Sequence, residues 1–291
     1  NEVNLKVAIT SKLLHPEIRV ICRSDSLDVE DNMKSFGTDY IINPFETFAS
    51  HLAVALPAPG LSLLQSWLRG GTNYPLQEPV YPPSSGRWIV CGYGRFGRAI
   101  CQRLRREGIE PVVVEAHPEM TGMPDSGYVL GRGTEEKTLR EAGIDGAVGL
   151  VAGTDDDANN LSIIMTAREI RPELFIILRQ NQMENQAVID AVDADMVMHK
   201  SAIIANRIRV LLGTPLLYQF TSLALHQRDA WARELVSRIS ALVTRHSPAI
   251  WALSLGPDDA LAVRRRLEQG AQLRLRRPRA DPGDPSRRLD C

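Results

Sequence analysis

The stretch Trp88-Ile89-Val90-Cys91-Gly92-Tyr93-Gly94-Arg95-Phe96-Gly97 decides the fold. Four apolar residues read as a buried strand, and they run straight into G-x-G-x-x-G and then a helical pattern. In that order each glycine has a mechanical task. Gly92 makes the tight turn, Gly94 lets a pyrophosphate approach the backbone, and Gly97 lets the helix pack close to the strand. The N–H groups of the helix that opens at Arg95 then face the phosphates, helped by the positive end of the helix dipole.

Beyond Gly97 the chain alternates helical periods with short apolar runs at Val112 to Val114, Tyr128 to Leu130, Val148 to Ala152, Leu174 to Leu178 and Met196 to Met198. With Trp88 to Cys91 these make six strands, and their near-continuous Val, Ile and Leu content predicts a parallel sheet covered by helices on both faces. The second strand ends on Glu115, 18 residues after Gly97, where a carboxylate can accept hydrogen bonds from both adenosine ribose hydroxyls. A 2′-phosphate there would meet like charge, which favours NAD(H) or an adenosine phosphate over NADP(H). Arg95 can swing over the phosphates as a charge-assisted donor. In Gly153-Thr154-Asp155-Asp156-Asp157 an acid caps the next helix or meets the ligand, while Thr154 borders the cleft. Arg179 closes the fifth strand on the carboxyl edge of the sheet; a ligand contact and a structural ion pair are both open to it.

Outward from this core, residues 69–86 are rich in Gly, Pro and Ser and read as a linker. Residues 1–54 repeat residues 157–210 without a gap at an offset of 156: Asn4-Leu5 falls on Asn160-Leu161, Thr10 on Thr166, Pro16-Glu17 on Pro172-Glu173, Ile21 on Ile177, Arg23 on Arg179 and Asp39 on Asp195. Residues 1–68 are therefore expected to be the second half of a sister Rossmann domain, and 87–213 a complete one. The rest, 214–291, reads as a small α+β domain with a helix around Asp229 to Arg245, a strand at Ile250 to Leu253, a helix at Asp258 to Leu267 and a strand at Gln272 to Leu275. Arg276 to Cys291 is expected to be irregular.

The totals exclude several classes. Among 291 residues, 44% hydrophobic and 24% charged content with a net charge of -1 describes an ordinary soluble chain with no global field to recruit nucleic acid. The local basic excess from Arg264 to Arg288 is interrupted by acids and carries no aromatic residue for base stacking. Four cysteines without C-x-x-C spacing fit a reducing cytosol. No uninterrupted apolar run reaches membrane-spanning length, and no signal peptide opens the chain; its first residue is Asn1, which leads us to expect further residues upstream.

G-Y-G-R-F-G at 92–97, V-V-V-E at 112–115, T-L-R-E-A-G-I at 138–144, T-D-D-D-A-N-N-L at 154–161 and I-I-L-R at 176–179 together resemble the RCK or KTN domains that regulate potassium conductance in channels and transporters. The resemblance covers nearly the whole chain and is of the tandem type. It implies a Rossmann-like lobe that binds NAD(H) first, with ATP or ADP as the alternative, and pairs into a homodimer or larger ring. It also implies a potassium channel or transporter pore, on a membrane subunit or an upstream transmembrane segment, with the module in the cytoplasm at the inner face of the membrane. Its implied ligand site takes in Gly92, Tyr93, Gly94, Arg95, Phe96, Gly97, Glu115, Thr134, Thr154, Asp155 and Arg179, with the two arginines on phosphate and Glu115 on ribose. One departure bears on adenine selectivity: the family usually has Gly-Asp-Ala-Thr where this chain has Gly131-Arg132-Gly133-Thr134. The rival reading, an NAD-dependent oxidoreductase, would draw its proton-transfer residue from a C-terminal substrate domain holding only His226 and His246, with no Tyr-x-x-x-Lys pairing. A regulatory role without catalysis, metal or nucleic acid is the expected reading.

Overall fold

The computed structural model describes residues 2–70, 75–241, 243, 245–247, 268–270, 279–281 and 284–289. The first elements are α1 (Glu2–Leu14), β1 (Ile21–Arg23), α2 (Leu27–Ser35), β2 (Tyr40–Ile42), α3 (Pro44–Ala55) and α4 (Pro59–Gly70). There follow β3 (Arg87–Cys91), α5 (Arg95–Arg106), β4 (Val112–Glu115), α6 (Pro118–Thr121), β5 (Tyr128–Leu130), α7 (Glu136–Glu141), β6 (Ala147–Ala152), α8 (Asp157–Ile170), β7 (Phe175–Gln180), α9 (Gln186–Ala191), β8 (Met196–His199) and α10 (Lys200–Gly213). Then come α11 (Pro215–Ala224), α12 (Asp229–Ser240), β9 (Arg279–Asp281) and β10 (Asp284–Leu289).

The six expected strands form one parallel sheet in the order β5-β4-β3-β6-β7-β8, so the winding reverses between β3 and β6. Alternation along β3 builds two cores. Trp88 and Val90 pack with Phe96, Ile100 and Leu104 of α5, whereas Ile89 and Cys91 pack with Leu139, Ile163 and Ile164 of α7 and α8.

The first 55 residues reproduce the second half of this domain in detail. β1 and β2 are parallel, with Ile21 opposite Tyr40 and Cys22 opposite Ile41; 156 residues on, Ile177 faces Met196 and Leu178 faces Val197. The tethers repeat as well. Val20 N–H donates to Asp39 Oδ2 at 2.7 Å and Ile176 N–H to Asp195 Oδ2 at 2.7 Å. Asn4 Nδ2 donates to the Arg23 carbonyl at 2.9 Å, and Asn160 Nδ2 to that of Arg179 at 2.9 Å.

This half copy is not a separate body. Asn43 caps α3 by accepting from the Phe45 and Glu46 N–H groups at 3.1 and 3.2 Å, with Pro44 opening the helix. The helix then buries Phe45, Phe48, Ala49 and Leu52 in the core of the complete domain, where the Phe45 and Phe48 rings lie 6.2 and 5.7 Å from that of Phe96. Arg103 to Glu46 at 3.1 Å pins α5 to α3.

The stretch read as a linker is anchored. α4 enters it as far as Gly70, Trp67 Nε1 donates to the Gln77 carbonyl at 3.0 Å, and Trp88 Nε1 donates to that of Pro83 at 3.2 Å. The chain divides into the units Asn1–Ile250 and Trp251–Cys291, so the division falls later than residue 214. The reason is apolar: Ala224 and Ala232 of α11 and α12 share a buried cluster with Leu61 and Leu64 of α4, and Leu61 N–H donates to Asp229 at 3.0 Å. α11 was not foreseen, and α12 ends at Ser240 rather than Arg245. The expected strands at Ile250 to Leu253 and Gln272 to Leu275, and the helix at Asp258 to Leu267, lie outside the described residues. Within the tail expected to be irregular, β9 and β10 pair antiparallel.

Removing Phe48 empties a site shared by both copies, so Phe48→Ala should lower the urea-unfolding free energy by about 3–5 kcal/mol. Asp39→Ala and Asp195→Ala each orphan one backbone N–H and should each cost about 1–3 kcal/mol, additively in the double variant because they lie in different copies. The Asp39 carboxyl lies below the usual carboxylate range, chiefly through its bond from Lys12 and then that from Val20. Its stabilisation is complete above the unfolded carboxyl range, about pH 4, and is lost as pH falls through the lower folded value, so Asp39→Ala should flatten acid unfolding in that window.

Candidate functional site

Gly92 adopts φ of +94° and turns the chain out of β3, and a Cβ there would meet the Thr154 N at 3.2 Å. A Cβ on Gly97 would lie 1.9 Å from the Gly92 carbonyl oxygen, so only glycine lets α5 start this close to the strand. The Gly94 Cβ position is open space, and no side chain caps the helix it precedes. The first-turn N–H groups of α5 therefore border a cleft of about 440 Å³ at the carboxyl edge of the sheet, where the winding reverses.

Gly92, Gly94, Arg95, Glu115, Thr134, Thr154, Asp155 and Arg179 all line this cleft. Tyr93, Phe96 and Gly97 are not among its lining residues. Phe96 is fully buried in the core, Gly97 serves helix packing, and Tyr93 contributes its N–H to the loop's support. Glu115, 7% exposed, accepts from Tyr93 N–H at 2.7 Å on one carboxylate oxygen and from His117 N–H at 2.8 Å on the other. Each oxygen keeps a lone pair for a further donor, so the residue that would hold ribose also braces the glycine turn.

On the opposite wall Asp156, not Asp155, caps α8, accepting from Asn159 N–H at 2.7 Å. Thr154 Oγ1 donates to Asn160 Oδ1 at 2.7 Å, which fixes the hydroxyl at the cleft edge. Buried Asp157 accepts from Asn181 N–H, Gln182 N–H and Asn185 Nδ2 at 2.7, 3.0 and 2.8 Å. Burial works against its charge, but these bonds outweigh burial and hold its carboxyl below the usual range.

The electrostatic arrangement here was not visible in the sequence motifs. Arg179 forms no carboxylate ion pair among the described residues; it donates to the Gly153 carbonyl at 3.3 Å and lies 5.3 Å from the centroid of the Phe45 ring. Arg95 and Lys200 approach the same ring at 5.8 and 5.5 Å. Asp25, just after β1, gathers these cations, with Arg23 at 2.6 Å, Lys200 at 3.5 Å and Arg95 at 3.6 Å. Burial raises the Asp25 carboxyl, and the Arg23 hydrogen bond with the charges of Lys200 and Arg95 more than reverses this, holding it below the usual range. Burial pushes the Arg179 guanidinium down, with Asp155 opposing and the like charge of Arg95 adding to it. Phe45, Asp25 and Lys200 were missed by sequence reading. The repeat held a signal for Asp25, since it stands two residues after Arg23 as Asn181 stands two residues after Arg179 at the carboxyl end of β7.

The residues present fit an adenine nucleotide. A bare helix start and two arginines suit a diphosphate, and the cleft-wall carboxylate of Glu115 suits a ribose with a free 2′-hydroxyl. Arg132 lines the cleft in place of the acid expected near adenine.

The family model described as TrkA-N domain matches residues 88–200. A probable potassium channel protein 2 of Methanocaldococcus jannaschii is 32% identical over 103 residues, covering 33% of this chain and 30% of that protein. A Trk system potassium uptake protein TrkA homolog of Pyrococcus abyssi is 31% identical over 137 residues, covering 44% of this chain and 60% of that one. The chain thus spans less than two thirds of the length of these relatives. Among solved structures, the GsuK RCK domain matches with a TM-score of 0.57 at 19% identity, over 74% of this chain and 61% of that one. The GsuK channel bound to NAD matches with 0.56 at 18% identity, over 76% and 51%, which is a likeness of fold. Sheet order, glycine loop and family match agree: residues 88–200 of this chain form a Rossmann-like domain similar to the TrkA-N domain.

Proposed function

We propose that this chain is a ligand-sensing regulatory module of a potassium channel or transporter, and that an adenine nucleotide, NAD(H) or ADP/ATP, bound in the Gly92–Glu115 cleft sets its state. The observation that carries this reading is the convergence of the uncapped α5 start, Arg95, Arg179 and Glu115 on one cleft in a domain similar to the TrkA-N domain. Names of relatives as potassium channel and uptake proteins, and of GsuK structures bound to ADP and to NAD, support it. No helix among the described residues is long and apolar enough to cross a membrane, so the pore is assigned to another segment or subunit. The residues offered for catalysis stand elsewhere: His226 is exposed beyond α11, and His246 pairs with Pro75.

Asp25 supplies the coupling. It holds Arg95 and Lys200 from the half copy, and a nucleotide phosphate arriving at Arg95 would compete for the same guanidinium and repel the Asp25 carboxylate. Phosphate binding would therefore loosen the half copy from the starts of α5 and α10, and by linkage the half copy would weaken nucleotide binding by the same factor. In an assembled dimer or ring this change would reach the pore.

Calorimetric titration of NADH, NAD+, ADP and ATP should show one saturable site. Glu115→Gln, which keeps an acceptor for the turn, should weaken it by about tenfold, as one charge-assisted bond is lost; no binding by any of the four would end the sensor reading. Asp25→Asn should tighten the nucleotide by about fivefold or more, the low end of allosteric couplings; unchanged affinity would remove Asp25 from the mechanism.

A further inference from the structure

A second cavity, of about 540 Å³, lies where the two copies meet, between α3 and α4 of the half copy and β8 and α10 of the complete domain. Its walls bring together equivalent positions of the repeat: His51 of α3 and Arg207 of α10 are 156 residues apart, as are Thr47 and Ile203. Phe48, Met196 and Ile203 make part of the wall apolar.

The polar part is unbalanced. Gln65 is 3% exposed, and its Nε2 has no hydrogen-bond partner; the buried Nε of Arg69 has none either. Arg207 donates to Tyr218 Oη at 3.2 Å, and among the described residues no carboxylate comes within ion-pair distance of Arg69 or Arg207. Of the wall's two acids, Asp195 accepts from Ile176 N–H, and Glu78 is exposed to solvent. Burial, aided by the like charge of Arg207, pushes the Arg69 guanidinium down to about 10. The same burial, with Arg69 nearby, lowers His51 to about 4, so its imidazole is neutral and adds no cation. Arg207 is half-buried beside the Arg69 head group. Water can satisfy an orphan amide N–H, but it does not neutralise this pair of guanidinium groups; an anion does both. The volume falls within the range of about 300–1,000 Å³ usual for sites of small organic ligands.

We infer that this cavity is a second ligand site, for a small organic anion whose carboxylate or phosphate head meets Arg69, Arg207 and Gln65 while an apolar body lies along Phe48 and Ile203. Because its two sides belong to the two copies, occupancy clamps α3 against α10. The site shares no lining residue with the nucleotide cleft, so the inference stands apart from the proposed function.

The test is calorimetry on the full chain at fixed ionic strength with four probes: hexanoate, hexyl phosphate, hexanol and inorganic phosphate. At least one of the two amphiphilic anions should bind saturably, with hexanol about tenfold weaker or undetectable, and the preferred head identifies the ligand's chemistry. Arg69→Gln should weaken the anion by about tenfold or more, as loss of a charge-assisted bond requires. Gln65→Leu should also weaken it while leaving the unfolding temperature of the free protein unchanged or raised, since it removes an unpaired donor. The inference is overturned if neither amphiphilic anion binds, if hexanol binds as well as hexanoate, or if binding is lost in Arg95→Gln and kept in Arg69→Gln, which would place the anion in the nucleotide cleft.

Discussion

The packing of Phe45 and Phe48 against Phe96 is the constraint on which the rest of the structure depends. By sequence α3 is the end of the half copy; by burial it is part of the core of the complete domain. Burying two aromatic side chains contributes about 3–6 kcal/mol, enough to hold the partial copy in one place. That placement carries the Phe45 ring to the cleft rim and puts Asp25 beside Arg95, so the glycine loop cannot be described without residues from the half copy.

The two cavities beside this contact solve their charge problem differently. At the glycine loop, cations are collected by a buried carboxylate of the half copy, and the resting site is compensated by Asp25. Between α3 and α10 the guanidinium groups of Arg69 and Arg207 have no such acid among the described residues. A compensated site can be switched by competition, because an incoming anion displaces an internal one. An uncompensated site gains its missing partner only on binding, which makes occupancy itself the stabilising event.

The duplication explains why both features sit where they do. Repeating the Asn–carbonyl and Asp–N–H tethers at the same offset keeps β1 and β2 in the register of β7 and β8, although β1 and β2 pair only with each other among the described residues. With the strands so held, α3 leaves β2 as α10 leaves β8, and these equivalent helices meet. α4 then finds apolar cover from α11 and α12.

Local order along the chain was enough to determine the sheet. Strand, glycine loop, helix, strand and acid follow one another from Trp88 to Glu115, and each step is a short-range constraint on φ, hydrogen bonding or periodicity, so the six strands and eight of the cleft residues were legible. The repeat at offset 156 was legible for the same reason, as identical local tethers need similar residues at the same spacing. Tertiary structure alone decided what those segments touch. Nothing in the run from Pro44 to Leu56 says that it buries Phe48 under Trp88 and Phe96 rather than in a core of its own, and Asp25 becomes part of the site only because α3 docks there. Apolar burial is non-directional and carries no record of its partner in the sequence, whereas backbone geometry at a glycine does.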